Sequence, residues 1–513
     1  MALVTPLRRS GTASKKWKTL SRFSPTYLPI AIFQTATVQS VDPCLETTYT
    51  EPDSQVARPP FQELQFNDPQ QAFQAKSTGK LVQSLAVFKA CSIKPLVENA
   101  DAIIRASRRV AAPLVDSVIK QTMFRHFCGG ECVESIQPTL KYLEENGIRP
   151  ILNYAAEDDV SNDADEAASS CPHAAAERCL DRNMAIFMRS IRDSDNARNR
   201  AFVAIKVTAL APPNLLDRMS EVLTQRAEPH DRGHASANLH DVMLPPLEEQ
   251  EQASFHGAIR RLDALGDAVL AMGNTRLLVD AEHTYMQPAI DALTIRLQQR
   301  CNRHEPVVIN TYQCYLKDAA ARIETDMQRA AAEGWRFGAK TVRGAYMVVE
   351  RARAAERGYD SPIWDTLQET HDSYNRCAGR VLESVAEGAA ELMVASHNQE
   401  SVALATRRMH DLGLHPSTSG VYFGQLLGMA DHLSFTLGRA GYRIHKIVPY
   451  GPVHETLQYL IRRAQENSSI MSATGKEREM IQAELVRRLR DSLRLDRLFR
   501  GPDLIHPGAS AQA

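Results

Sequence analysis

Two arginines and a tyrosine near the C-terminus have the spacing of a carboxylate-binding site. Tyr459, Arg462 and Arg463 lie in segment 455–467, where apolar residues recur at helical spacing. Residues three and four apart share one helix face, so the phenol and both guanidinium groups point the same way. A guanidinium holds a carboxylate through two parallel hydrogen bonds, which makes the pattern typical of a site for an organic acid. A solvated basic turn near a helix end fits the same spacing.

Short apolar runs recur upstream of this helix, and longer helix-like stretches separate them. The runs are 150–155, 202–209, 276–281, 307–312, 338–342, 392–396, 421–425 and 444–449. Strand-like runs that alternate with helices predict parallel β/α units, and eight is the number that closes a (β/α)8 TIM barrel. A doubly wound open sheet is the alternative, but no Gly-x-Gly-x-x-Gly follows a strand-like run, which argues against it.

Polar residues appear where the apolar runs stop. In a barrel, active sites lie at the carboxyl ends of the strands, so we expect these side chains to converge on one face. Each residue alone is also compatible with a helix cap or an exposed loop position. In chain order, the strand ends supply Glu157, Asp158, Asp159, Lys206, Thr208, Asp280, Glu282, His283, Gln313, Lys340, Gly344, Ala345, Tyr346, Ser396, His397, Asn398, Gln425 and Leu426.

The rest of the sequence predicts the domain organisation. Residues 1–41 are rich in arginine, lysine and serine and precede the first acidic residue, Asp42, which is typical of a mitochondrial or chloroplast transit peptide. A disordered basic arm would have the same composition. We predict a linker over 42–70, an N-terminal helical lead-in over 71–147, the barrel over 148–470 with an insertion near 229–252, and a C-terminal helix and tail over 471–513.

Composition excludes several classes of protein. The chain is 43% hydrophobic and 24% charged with a net charge of −1, so no basic excess points to nucleic acid. No apolar run is long enough to predict a transmembrane helix. Nine cysteines without a Cys-x-x-Cys pair predict free thiols and no metal site. Segment 477–499 predicts an amphipathic helix, which would either pack on the barrel or dock on anionic lipid.

Several longer phrases occur in a fixed order, and together they resemble the proline dehydrogenase family. They are LVDAE at 278–282, NTYQCYL at 310–316, GAKTVRGAY at 338–346, VASHN at 394–398, FGQLLGM at 423–429, VPYGPV at 448–453 and the Tyr-x-x-Arg-Arg helix. The resemblance covers about residues 70–500. It is similar to the eukaryotic mitochondrial branch, with hydroxyproline dehydrogenase as a close relative.

The resemblance implies a distorted (β/α)8 barrel that binds FAD without a covalent link. It implies oxidation of L-proline to Δ1-pyrroline-5-carboxylate by hydride transfer to flavin N5. It further implies a membrane quinone as electron acceptor and a location on the matrix side of the inner mitochondrial membrane.

The same resemblance implies roles for individual residues. Asp280 and Lys340 would be catalytic. Glu157 would gate the site and pair with Arg462 and Arg463, the clamp arginines that would hold the substrate carboxylate. The implied substrate contacts are Lys206, Leu426, Ile447, Tyr459, Arg462 and Arg463. The implied FAD contacts are Ala281, Gln313, Lys340, Arg343, Gly344, Ala345, Ser396, His397 and Glu466.

Ile447 departs from the family pattern. Proline-specific members tend to have tyrosine at this position, and hydroxyproline-oxidising relatives tend to have serine. Isoleucine cannot donate a hydrogen bond to a clamp arginine, so both L-proline, which we favour, and trans-4-hydroxy-L-proline stay open as substrates. Two functions of other classes also remain: a barrel aldolase that uses Lys206 or Lys340 as a Schiff-base amine, and a non-catalytic barrel module.

Overall fold

The barrel predicted from the sequence is confirmed. The computed structural model describes residues 63–154, 172–194, 201–226, 248–469 and 471–492. Within these ranges, eight parallel strands pair in chain order, and β8 pairs with β1 to close the barrel. The strands are β1 Ile148–Tyr154, β2 Ala201–Ile205, β3 Thr275–Val279, β4 Val308–Gln313, β5 Phe337–Val342, β6 Ala390–Ala395, β7 Val421–Leu426 and β8 Ile444–Tyr450.

Helices precede, surround and follow the barrel. They are α1 Pro69–Phe73, α2 Thr78–Cys91, α3 Lys94–Glu98, α4 Ala100–Ile119, α5 Arg125–Phe127, α6 Val133–Glu145, α7 Pro172–Asp193, α8 Pro213–Arg226, α9 Glu249–Met272, α10 Gln287–Cys301, α11 Ala319–Glu333, α12 Met347–Arg357, α13 Leu367–Ala386, α14 Gln399–Asp411, α15 Asp431–Arg439, α16 Leu457–Ser469 and α17 Met471–Ser492. None of the helices described here is long and apolar enough to cross a bilayer.

Alternate side chains of each strand point into the barrel, and this alternation decides which residues reach the site. Leu277 and Val279 pack outward with the helices, whereas Leu278 belongs to the interior cluster. Because the side-chain period of a strand is two residues, Asp280 continues the inward row of β3. The interior cluster consists of Ile151, Phe202, Ala204, Leu278, Ile309, Met393 and Tyr422, with Ile447 packed against it.

Local boundaries differ from the sequence expectation at three places. The second apolar run stops as a strand at Ile205, and Val207–Ala209 forms a 3-10 turn. The helix-like stretch before the sixth apolar run, for which the sequence predicts a helix over 361–387, becomes helical only at α13, where the Thr366 and Glu369 side chains form a capping box. Residues 249–252 of the predicted insertion belong to α9, which begins with a capping box between Glu248 and Glu251.

The tail helix α17 packs on the N-terminal helices. Met480 and Ile481 are buried in a cluster with Phe73, Leu81 and Phe88 of α1 and α2. Leu485 packs against this cluster, whereas Leu489 is 58% exposed, so the apolar side of the segment predicted as amphipathic faces protein only in part over the described residues. Its later leucines lie outside the described ranges.

Candidate active site

A buried ion pair lies at the carboxyl end of the barrel strands. Lys340 of β5 is 4% exposed, and its Nζ lies 2.5 Å from Oδ1 of Asp280. Asp280 directly follows β3, and its backbone N–H donates to the carbonyl of Ile205 at 2.9 Å. The pair spans β4, because β3 and β5 are not hydrogen-bonded neighbours. A lysine charge is thus fixed inside the barrel and balanced by a partly exposed carboxylate.

The ends of β2, β3 and β4 are joined through Glu282. Its buried carboxylate accepts hydrogen bonds from the Thr208 backbone N–H at 3.1 Å and from the Thr208 hydroxyl at 2.6 Å. Burial raises the pKa of Glu282, while the bonds from Thr208 and the charge of Lys206 act in the opposite direction. The Glu282 carbonyl accepts a bond from Gln313 Nε2 at 2.7 Å. These contacts fix the loops from which Lys206 and Asp280 project.

Charges from three elements act on the phenol of Tyr346. Burial raises the pKa of Tyr346; the charges of Lys206 and Arg462 lower it, and those of Glu282 and Asp280 raise it. Lys206 follows β2, Asp280 and Glu282 follow β3, and Arg462 belongs to α16. The Tyr346 side chain is therefore under the electrostatic influence of residues from all three elements.

The second clamp arginine is buried and held in place. The Arg463 guanidinium lies 4.9 Å from the centroid of the Tyr459 ring and pairs with Glu466. Arg463 is 9% exposed, and its Nε is buried without a hydrogen-bond partner among the described residues. Buried donors are normally satisfied, so an open donor on a fixed guanidinium is a feature of a ligand site. A carboxylate is the natural acceptor.

Arg343 follows β5 and is packed against Tyr374. Its guanidinium lies 3.9 Å from the ring centroid and donates to the hydroxyls of Ser396 at 2.7 Å and Ser401 at 2.8 Å. Burial lowers the pKa of Arg343. Gly344 follows with a φ of +94°, and a Cβ built there meets no atom within 4 Å. The loop therefore offers an oriented cation next to accessible backbone, which suits a pyrophosphate group.

His397 links the ends of β6 and β7. Its Nε2 accepts a hydrogen bond from the backbone N–H of Leu426 at 3.0 Å, so the neutral ring carries its proton on Nδ1. Burial lowers the pKa of His397 to about 3, and the charges of Lys446, Arg463 and Arg343 act in the same direction. Leu426 is thereby fixed as the last residue of β7.

The remaining predicted site residues differ in burial and position. Ala281 is half-buried between Asp280 and Glu282, and Ala345 is exposed on the β5–α12 loop. Gln313 is 1% exposed, and its Oε1 has no hydrogen-bond partner in the described ranges. Ile447 packs into the barrel interior. Glu157 lies outside the described residues.

Three neighbours of the site, Thr208, Glu282 and Tyr346, are among the strand-end residues of the sequence pattern, which assigned them no role. Three others were absent from the predicted set, namely Tyr315, Tyr374 and Ser401. Nothing in the sequence pairs Thr208 with Glu282, because the two residues lie on different β/α units. Within the described ranges, no cluster of His, Cys, Asp and Glu side chains could hold a metal ion.

Comparison with known proteins gives the family. A family model described as proline dehydrogenase matches residues 136–476. Human "Proline dehydrogenase 1, mitochondrial" is 36% identical over 546 aligned residues, which cover 84% of this chain and 91% of that protein. The chain belongs to the proline dehydrogenase family. The family predicted from the sequence is thus confirmed, and with it an oxidoreductase class. Hydroxyproline dehydrogenase of Xenopus laevis is a similar member, 36% identical over 424 residues covering 81% of this chain and 89% of that protein.

Solved structures of this family's relatives share the fold. Proline utilization A from Bdellovibrio bacteriovorus, inactivated by N-propargylglycine, superposes with a TM-score of 0.56 at 18% identity. The match covers 78% of this chain and 38% of that one. A mutant of proline utilization A from Bradyrhizobium japonicum superposes with a TM-score of 0.51 at 19% identity, and the match covers 80% of this chain and 42% of that one. This chain spans less than half the length of either protein, and the likeness supports the barrel architecture.

Proposed function

We propose that this protein oxidises L-proline to Δ1-pyrroline-5-carboxylate with bound FAD and passes the electrons to a membrane quinone. The observation that carries the proposal is the buried Lys340–Asp280 pair at the carboxyl end of the barrel in a chain of this family, and the charges of Lys206 and Arg462, which both act on the Tyr346 phenol, support it. When bound, FAD supplies the hydride acceptor. The features that fit this cofactor are the open backbone at Gly344, the adjacent oriented arginine, and the buried amide oxygen of Gln313, which has no hydrogen-bond partner among the residues that the structure describes.

The protein's own residues bind and orient the imino acid. Arg462 and Arg463 hold the carboxylate, and Lys206 adds a third positive charge. Tyr459 and Leu426 pack against the ring, which restricts its orientation and excludes water. Lys340 places a fixed positive charge where negative charge develops during the reaction, and its carboxylate partner holds the ammonium in position.

A flavin spectrum tests cofactor and substrate together. The purified full-length protein should show the absorbance bands of an oxidised flavin, and anaerobic addition of L-proline should bleach them. A colourless protein that does not take up FAD contradicts the proposal and favours a non-catalytic barrel. Borohydride trapping of a carbonyl substrate on Lys206 or Lys340 would instead support the aldolase alternative.

We favour L-proline over trans-4-hydroxy-L-proline. Ile447 is packed among apolar side chains and offers no partner for a substrate hydroxyl, and an unpaired buried hydroxyl is costly. We expect kcat/KM to favour L-proline by about tenfold or more, as a lost hydrogen bond would give. The variant Ile447→Ser should narrow this ratio. A higher kcat/KM of the parent protein for the hydroxylated substrate would reverse the assignment.

We propose α4 as the surface that meets the membrane. No residue of this 20-residue helix is buried. The helix is kinked at Ala111, whose φ of −148° and ψ of 58° are not helical. Leu114 and Val118 share a face after the kink and are 66% and 56% exposed, and Val110, directly before the kink, is 89% exposed. Arg105 and Arg109 are exposed beside them, and segment 89–119 holds five basic and three acidic residues. An apolar helix face with flanking arginines fits the interface of an anionic bilayer.

Vesicle sedimentation tests this surface. The protein should bind phosphatidylcholine vesicles that contain cardiolipin, and Val110→Asp with Leu114→Asp should weaken binding about 100-fold, from roughly 1.5 kcal/mol for each apolar side chain. Val486→Asp, at a 48% exposed apolar position on α17, is the matched control. Oxidation of L-proline with a water-soluble quinone should be unchanged in all variants. Equal binding of the α4 variant and the control would contradict the assignment.

A further inference from the structure

The turn between β7 and α15 has an unfavourable backbone. It joins Leu426 to Asp431 and contains Gly428 with a φ of +77° and Ala430 with a φ of +52°. Ala430 is the one non-glycine residue with a positive φ in the described part of the chain, and that conformation costs free energy. A Cβ on Gly428 would come within 2.5 Å of the His126 carbonyl. Such a turn persists only if its surroundings hold it.

A fully buried lysine holds this turn from β8. The Lys446 ammonium donates to the carbonyl of Leu426 at 2.9 Å and to the carbonyl of Met429. It also pairs with Oδ1 of Asp431 at 2.8 Å, and Asp431 pairs in addition with Lys76. One ammonium thus contacts the start, the middle and the end of the turn.

The tail helix α17 holds the same turn from outside the barrel. The buried Glu477 carboxylate accepts the backbone N–H groups of Ala430 at 2.9 Å and Asp431 at 2.8 Å. Helix α15 has no side-chain cap of its own, so Glu477 satisfies donors at its N-terminus and places a negative charge there. Glu477, Asp431, Lys446 and Lys76 form a charge-balanced buried network, in which removal of one member leaves the others uncompensated.

The turn is continuous with the substrate pocket described above. Leu426 donates its N–H to His397, and Leu427 donates its N–H to the carbonyl of Ile447 at 3.0 Å. Met429 and Tyr459 belong to one hydrophobic cluster, and Leu426 packs against that cluster. A displaced turn would therefore move one wall of the pocket.

We infer that α17 completes the substrate pocket: Glu477, together with Lys446, fixes the β7–α15 turn and so positions Leu426. Both are positioning residues. The role of Leu426 rests on the proposed function, whereas the hold on the turn does not. The C-terminal helix is therefore part of the specificity apparatus, although it contributes no side chain to the substrate contacts named above.

Hydrogen exchange and kinetics together test this inference on the full-length protein. Glu477→Ala should speed amide exchange in a peptide that spans residues 426–431 about 100-fold, as expected for loss of two hydrogen bonds to a carboxylate. The same variant should raise KM for L-proline about tenfold with a smaller change in kcat. Glu477→Gln keeps one oxygen acceptor but loses the second acceptor and the charge, so it should reduce the changes in exchange and KM only in part. The control Glu391→Ala breaks a buried ion pair at the opposite end of the barrel, and it should change neither.

The outcomes separate the inference from the proposed function. Unchanged exchange in the turn of Glu477→Ala would overturn the inference whether or not the protein oxidises proline. Faster exchange with an unchanged KM would also overturn it, because the turn would then not shape the pocket. If Glu477→Ala does not fold, Lys446→Met must give the same rise in exchange and KM. An unaltered turn or KM in Lys446→Met would likewise overturn the inference.

Discussion

Arg463 provides a direct test of the carboxylate site, because it is buried, charged and already oriented. Its guanidinium is packed against Tyr459 and paired with Glu466, and its Nε has no acceptor within the described ranges. Arg463→Lys keeps the positive charge but removes the planar fork, and Arg463→Met removes both. The two variants therefore separate the contribution of geometry from that of charge.

The magnitude follows from the number of bonds lost. A hydrogen bond to a charged group contributes about 1.5–3 kcal/mol, and we take the lower end because Glu466 already shares this guanidinium. Loss of one bond in Arg463→Lys should raise KM for L-proline about tenfold. Loss of both bonds in Arg463→Met should raise it about 100-fold. If the interaction is equally strong in ground and transition states, kcat should change little.

Paired inhibitors provide the decisive assay. Cyclopentanecarboxylate and cyclopentylmethanol have the same ring, but only the first has a carboxylate. Perturbation of the flavin spectrum would report the dissociation constant of each. Arg463→Met should weaken the acid by the same factor as KM and leave the alcohol unchanged. Equal weakening of acid and alcohol, or a change in KM below about twofold, would refute the carboxylate clamp.

Three further predictions concern charges elsewhere in the barrel. Asp280→Asn leaves the buried Lys340 ammonium without its carboxylate, and kcat/KM in steady-state assays should fall at least about tenfold; an unchanged value would contradict a role for the pair. Glu391→Ala leaves Arg276, which is 0% exposed, with the exposed Glu305 alone. Urea unfolding should show that the free energy of unfolding falls by about 3 kcal/mol, while KM for L-proline stays constant. A change in KM without a fall in the free energy of unfolding would be inconsistent with this account. Burial lowers the pKa of His445 to about 3, below its value of about 6.5 in the unfolded chain. As pH falls from about 6.5 toward 3, the unfolded chain therefore binds a proton that the native state does not. The free energy of unfolding should fall by about 1.4 kcal/mol per pH unit from this group. His445→Phe should remove that part of the pH dependence in urea titrations, and identical slopes for parent and variant would count against it.

The barrel could be predicted because its strands are short apolar runs with helices between them. The exact ends of the strands were harder to predict from the sequence. The run after Ile205 continues as Val207, Thr208 and Ala209, which look strand-like, but β2 pairs with β3 only as far as Val279. The backbone then turns, because β3 has ended and offers no further ladder partner. Strand ends depend on the neighbouring strand, and a single sequence does not show which residues are neighbours.

The inward placement of three candidate site residues could be predicted for the same reason. Lys206, Asp280 and Lys340 lie at or near strand ends, where the period of two directs side chains into the barrel. The supporting charges could not be predicted in this way. Lys446 lies on the face of β8 that points away from the interior, and Glu477 lies on a helix outside the predicted barrel. Their partners are set by tertiary packing and leave no local pattern.

Closure of the barrel by β8 against β1 has a consequence for biosynthesis. The two strands come from opposite ends of the barrel sequence, yet they pair residue for residue from Ile148 with Ile444 to Tyr154 with Tyr450. A chain still on the ribosome without β8 and α17 exposes an unpaired strand edge and has no finished pocket. The barrel can therefore close only after β8 has been synthesised, and the edge of β1 needs shielding until then.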